Sequence, residues 1–287
     1  MTPAPKQIVL DKDALIGTGI DTLCAFAKSH LLLLSDTLLY ECATATKQDP
    51  TKLLGRCEAL FLSGASYCAS SRSFMSKERA DCCPYPALLA DAGMTDRICS
   101  QKISLGHTLR SRRTEKVLQT RRDIACREFL EFSQIIRQSH VFRGNVDANL
   151  MRSLPGDTGL RLTQILKIID TFDIHDMALR QIREDRISDK SRFCSSPDWM
   201  AWHHVRLTLA LVQEYHYMRS VGGDPAQQRA EHDYQDMEYV LLLSRADAVI
   251  TQDKRLAALA RAAFPEKDVF SGLEEVPDSY RCDWAGL

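Results

Sequence analysis

The chain has 287 residues, enough to bury a substantial core as one large domain or two small ones. Its 45% hydrophobic and 26% charged residues exclude a disordered chain, and a formal net charge of -1 leaves no global field that would draw it to nucleic acid or a membrane. Any such binding requires a local patch. Ten cysteines are scattered from Cys24 to Cys282 with no CxxC pair, and the opening MTPAPKQIVLDKD has no apolar signal-peptide core. The expectation is a cytoplasmic protein with reduced thiols and no structural zinc. Apolar runs such as Leu31 to Leu34 and Tyr239 to Leu243 are too short to span a bilayer, so no membrane partner is expected.

In chain order, Gln7 to Leu10 is a short strand, followed by helix from about Asp13 to Lys28. The run His30-Leu-Leu-Leu-Leu-Ser35 suits a strand buried on both faces of a parallel sheet, with helix resuming at Leu38. From Cys57 to Thr108 the pattern is irregular, and Cys82-Cys83-Pro84-Tyr85-Pro86 forbids a continuous helix. Arg112 to His140, Leu160 to Arg186 and Pro197 to Arg219 read as helices separated by Arg143-Gly144-Asn145 and Pro155-Gly156-Asp157. Asp170, Asp173 and Asp176 recur at three-residue spacing, as on an exposed helix face. After the loop Val221 to Pro225 come a helix to about Ser244, a strand Ala248 to Thr251, a helix Arg255 to Phe264, and an edge strand near Asp268 to Ser271. Strands alternating with helices predict a parallel sheet covered on both faces.

Two of these strands end in an aspartate: Asp36 closes LLLLSD and Asp253 closes AVITQD. The helix before the second strand carries Asp233 and Asp236 on one face. In a parallel sheet the carboxyl ends of the strands share one edge, which is where α/β folds place their ligands. Carboxylates gathered there repel one another until a divalent cation relieves them, and hard oxygen ligands suit Mg²⁺ or Mn²⁺. Such an ion activates water and stabilises charge on a phosphodiester.

The segments LLLLSDTLLYE (Leu31 to Glu41) and HDYQDMEYVLLLSRADAVITQDKRLAALARAAF (His232 to Phe264) resemble the opening strand and the C-terminal half of PIN-like nuclease domains. The resemblance implies a three-layer α/β/α core with a parallel sheet, built from residues 1–56 and 221–287, with a mostly helical insertion over 57–220. On the match, Asp36, Asp236 and Asp253 are the catalytic, metal-holding acids, with Asp233 assisting. Thr251 and Asp253 form the Thr-x-Asp turn, and Glu41 takes the place of the family's middle acid. The implied activity is Mg²⁺- or Mn²⁺-dependent hydrolysis of phosphodiesters in RNA; the alternative is a non-catalytic PIN-like scaffold that binds RNA or protein. Homo-oligomer formation is left open.

The local patch that nucleic acid would need lies between Arg97 and Arg127, with nine Lys or Arg against the two acids Glu115 and Asp123. Arg110, Arg112, Arg113, Lys116, Arg121 and Arg122 are its candidate phosphate contacts; the same residues also fit a solvated helix face.

Overall fold

The computed structural model describes residues 4–85, 87–100, 105, 153–171, 174, 196–222 and 227–282. Among these residues the chain is an α/β protein with a five-stranded, all-parallel sheet: β1 (Gln7–Leu10), β2 (Leu31–Ser35), β3 (Ser66–Cys68), β4 (Ala248–Ile250) and β5 (Asp268–Phe270). The strand order is β3-β2-β1-β4-β5, and helices complete a three-layer α/β/α arrangement with further helical parts.

Burial explains that order. β1, β2 and β4 are buried along their whole length and occupy the middle, while the partly exposed β3 and β5 form the edges. In the central register Val9 lies between Leu33 and Val249. Leu31 to Leu34 are all 3% exposed or less, and each leucine so buried contributes roughly 2 kcal/mol.

The helix expected over residues 13–28 is two helices, α1 (Lys12–Gly17) and α2 (Ile20–Ala27). Thr18 and Gly19 are extended between them, and the guanidinium of Arg56 donates to the carbonyls of Leu15 (2.6 Å) and Thr18. Arg56 belongs to α4 (Pro50–Leu62), which follows α3 (Asp36–Ala43). α5 (Ser71–Asp81) and α6 (Ala92–Ser100) come after β3. β3 thus joins the sheet from within the stretch expected to be a helical insertion. Three residues between alanines carry too little period to announce a strand.

The later helices are α7 (Thr158–Ile169), α8 (Met200–Ser220), α9 (Gln227–Leu242) and α10 (Lys254–Ala263). α7 packs along α8 and α10, so this helical part rests on the core rather than standing off it. Two forked ion pairs fasten α7 to α8. Arg161 meets Glu214 through two bonds of 2.7 Å, and Arg206 meets Asp170 at 2.6 and 2.7 Å. Asp170 is exposed, as its spacing predicts, and also ties α7 to α8; Asp173 and Asp176 lie outside the described residues. Arg206 also donates to the Ala263 carbonyl at the end of α10, at 2.9 Å.

The start of α8 is satisfied from outside its own segment. Glu78 of α5, 1% exposed, accepts from the backbone amides of Met200 (3.0 Å), Ala201 (3.1 Å) and Tyr85 (3.1 Å). A buried carboxylate over a helix N-terminus meets both orphan amides and the positive end of the dipole. Replacing Glu78 with Ala should cost roughly 2–4 kcal/mol in urea denaturation, and Glu78→Gln should cost less because one acceptor oxygen remains. An unchanged midpoint in both variants would show that α8 starts without this cap.

Candidate functional site

The loop leaving β1 turns toward β2, and the loop leaving β4 turns toward β5. Neighbouring strands whose connections diverge leave a crevice at their carboxyl ends. Asp11 follows β1 directly, and its amide donates to the Ile250 carbonyl at the end of β4 (3.1 Å). Across the crevice the Thr251 hydroxyl donates to Asp11 Oδ2 at 2.7 Å and accepts from the Asp253 amide at 3.0 Å. Asp253 Oδ1 caps α10, accepting from the amides of Arg255 (2.6 Å) and Leu256 (3.0 Å). One buried threonine thus fixes the spacing of two acids that lie 242 positions apart in the chain.

Two helices bring further carboxylates to this place. Glu41 of α3 accepts from Tyr239 Oη at 2.5 Å, and its other oxygen lies 3.4 Å from Lys12 Nζ. Asp236 of α9 is pushed well above the usual carboxylate range, first by burial and then by the charges of Asp253, Asp11, Asp233 and Glu41. Asp11 is pushed up to about 7: burial is the largest cause, and Glu41 and Asp13 add to it against the hydrogen bond from Thr251. Asp11, Glu41, Asp236 and Asp253 therefore share one electrostatic environment.

Asp11 has no place in the sequence-level set of acids. Its signal was present, since it closes the strand Gln7 to Leu10 as Asp36 closes Leu31 to Ser35. The strand before Asp36 is longer and more uniformly apolar than the one before Asp11, and so is the stronger pattern. Asp36 lies one strand over, beyond β2, where Oδ1 accepts from Tyr67 Oη at 2.6 Å. Its charge acts on Tyr67, Cys68 and Glu238.

Asp233 faces the other acids but is occupied. Both of its oxygens accept from the Arg255 guanidinium, and Tyr215 Oη donates to Oδ2 at 2.6 Å. Thr251 stands between Asp11 and Asp253. Arg110, Arg112, Arg113, Lys116, Arg121 and Arg122 lie outside the described residues.

The donor chemistry, hard carboxylate oxygens in a partly desolvated crevice, fits a divalent cation. As they stand, however, no three His, Cys, Asp or Glu side chains among the described residues are arranged to enclose one. No helix among the described residues is long and apolar enough to cross a membrane. No protein-family model, curated protein or solved structure matches the chain.

The raised Asp11 carboxyl has a consequence for stability. Between about pH 4 and 7 the folded state keeps a proton that the unfolded chain, with its carboxyl at 3.8, has released. Rising pH therefore destabilises the fold through this group, and the loss is complete above pH 7. Without divalent metal, the stability of Asp11→Asn relative to wild type should climb steadily from pH 4.5 to 7.5. Paired thermal melts in chelator measure it, and the slope isolates the charge from any constant loss of hydrogen bonding. A pH-independent difference would mean that Asp11 is not desolvated.

Proposed function

We propose that this protein is a divalent-metal-dependent nuclease acting on RNA, with Asp11, Glu41, Asp236 and Asp253 as its metal-holding acids. The observation that carries this reading is the convergence of four carboxylates, from four separate segments, on the crevice between β1 and β4. Gathering uncompensated negative charge costs a fold stability, and a bound cation is what makes such a gathering useful. The resemblance of residues 232–264 to the C-terminal half of PIN-like domains supports the same activity and gives RNA as the substrate class.

In this reading Mg²⁺ or Mn²⁺ supplies an activated water and charge stabilisation on the phosphodiester. The chain's own residues do the positioning. Thr251 holds Asp11 and Asp253 in register across the crevice. Tyr239 orients Glu41 by holding one of its oxygens. The Arg255 pair fixes Asp233 and so holds α9 and α10 together on either side of Asp236 and Asp253. The basic stretch within residues 97–127 is the proposed path for the substrate backbone, and the cytoplasm the proposed location.

One observation favours the alternative of a non-catalytic RNA- or protein-binding scaffold: no three of the described acids enclose an ion as they stand. The two readings part on activity. Purified protein should cleave single-stranded RNA in Mg²⁺ or Mn²⁺ and not in chelator. Asp11→Asn, Asp236→Asn and Asp253→Asn should each lower turnover about a hundredfold or more. Asp36→Asn, whose parent is bonded to Tyr67, should stay within a few fold of wild type. RNA binding without cleavage under every metal tried would support the scaffold, and loss of cleavage in Asp36→Asn alone would move the site to β2.

A further inference from the structure

Several buried acids around this sheet are met by a cation or by a set of amides. Glu214 has Arg161 and, at 3.9 Å, Arg255; Asp233 has Arg255; and Glu78 has the first turn of α8. In the crevice, one cation among the described residues reaches an acid of the proposed metal set. Lys12 Nζ lies 3.4 Å from Glu41 Oε1, with its side chain 25% exposed against 10% for Glu41. Chain connectivity puts it there: Lys12 follows Asp11, and its own amide donates to Asp11 Oδ1 at 2.6 Å. The lysine thus leaves the backbone at one acid and ends on another.

This contact differs from the arginine pairs in kind. The guanidiniums of Arg161 and Arg206 are forked onto their carboxylates at 2.6–2.7 Å, a geometry that is hard to displace. A single ammonium at 3.4 Å, with a quarter of its side chain in water, is a loose point charge on a flexible stem. It can leave Glu41 without leaving an unpaired cation buried. The Glu41 oxygen it touches is also the free one, because Tyr239 holds the other. An ion entering the crevice and the Lys12 ammonium would compete for that same oxygen.

We propose that Lys12 is the built-in counter-ion of the acidic crevice, held on Glu41 until a divalent cation displaces it, so that its charge sets how tightly that cation binds. The inference rests on the reading of the crevice as a metal site. A single positive charge offsets part of the repulsion among Asp11, Glu41, Asp236 and Asp253 when no metal is bound, and opposes the entry of a second cation. Lys12 is therefore a positioning residue for Glu41 and a brake on metal affinity.

The test is a Mn²⁺ titration of the full chain, followed through the free-ion paramagnetic resonance signal, with no substrate present. Lys12→Met should bind Mn²⁺ about tenfold more tightly than wild type, and Lys12→Gln should behave alike and stands in should the methionine variant fold poorly. Lys12→Arg, which keeps the charge, should remain within about twofold of wild type. Asp236→Asn should weaken binding and so locate the ion in the crevice. Unchanged or weaker binding in both neutral variants, or equal tightening in Lys12→Arg, would overturn the role of the Lys12 charge while leaving the metal site in place. Mn²⁺ binding absent from wild type and from both neutral variants, or untouched by Asp236→Asn, would remove the metal site itself and this inference with it.

Discussion

All five strands run in the same direction, and this parallel pairing governs the rest of the molecule. Parallel neighbours need a crossover between them, so helices must cover both faces, and the central strands must be apolar on both sides. β1, β2 and β4 meet that demand with QIVL, LLLLS and AVI, buried throughout. The same constraint delivers every strand's carboxyl end to one edge. Whatever residue follows β1 must then lie close to whatever follows β4, however far apart they are in the chain. Asp11 and Asp253 are neighbours for that reason, and the Thr251 hydroxyl has only to bridge a gap that the sheet has already set.

The fold was legible where burial demanded a long or strongly apolar segment. The strand at Leu31 to Ser35, the strand at Ala248 and the helix ended by Pro265 all stand where their patterns place them. β3 was not legible, because an edge strand of three residues needs neither alternation nor an apolar run. The break between α1 and α2 falls at Gly17-Thr18-Gly19, a local helix-ending signal, while Arg56, which bonds the carbonyls at the break, comes from a later helix that no local pattern reveals. Strand adjacency was hidden as well. That β1 rather than β2 lies beside β4 follows from packing, and this adjacency puts Asp11 within the field of Asp236 while the end of β2 carries Asp36. An aspartate after a strand is easy to find; which strands are neighbours is what decides its company.

Charge compensation separates the acids that hold the fold from those that make the site. Buried Glu214 and Asp233 are met by guanidiniums, and buried Glu78 by backbone amides, so removing those partners would leave a buried charge poorly compensated. Their roles are complete within the chain. Asp236 is the opposite case. The charges raising its carboxyl are all acids, and no described residue donates a hydrogen bond to it or forms an ion pair with it.

A fold that supplies arginines so readily to its structural acids could have supplied one here. Arg255 begins the helix that Asp253 caps, yet it is turned onto Asp233. That pairing spares Asp236 and Asp253 from neutralisation while still binding α9 to α10. The destabilising charge is thereby confined to a crevice whose walls are the most deeply buried strands of the sheet, where the surrounding core can sustain it. In the proposed reading, an acid left unpaired beside an arginine already committed to Asp233 is open to a partner from outside the chain, and a divalent cation is the common partner that four carboxylates would attract most strongly.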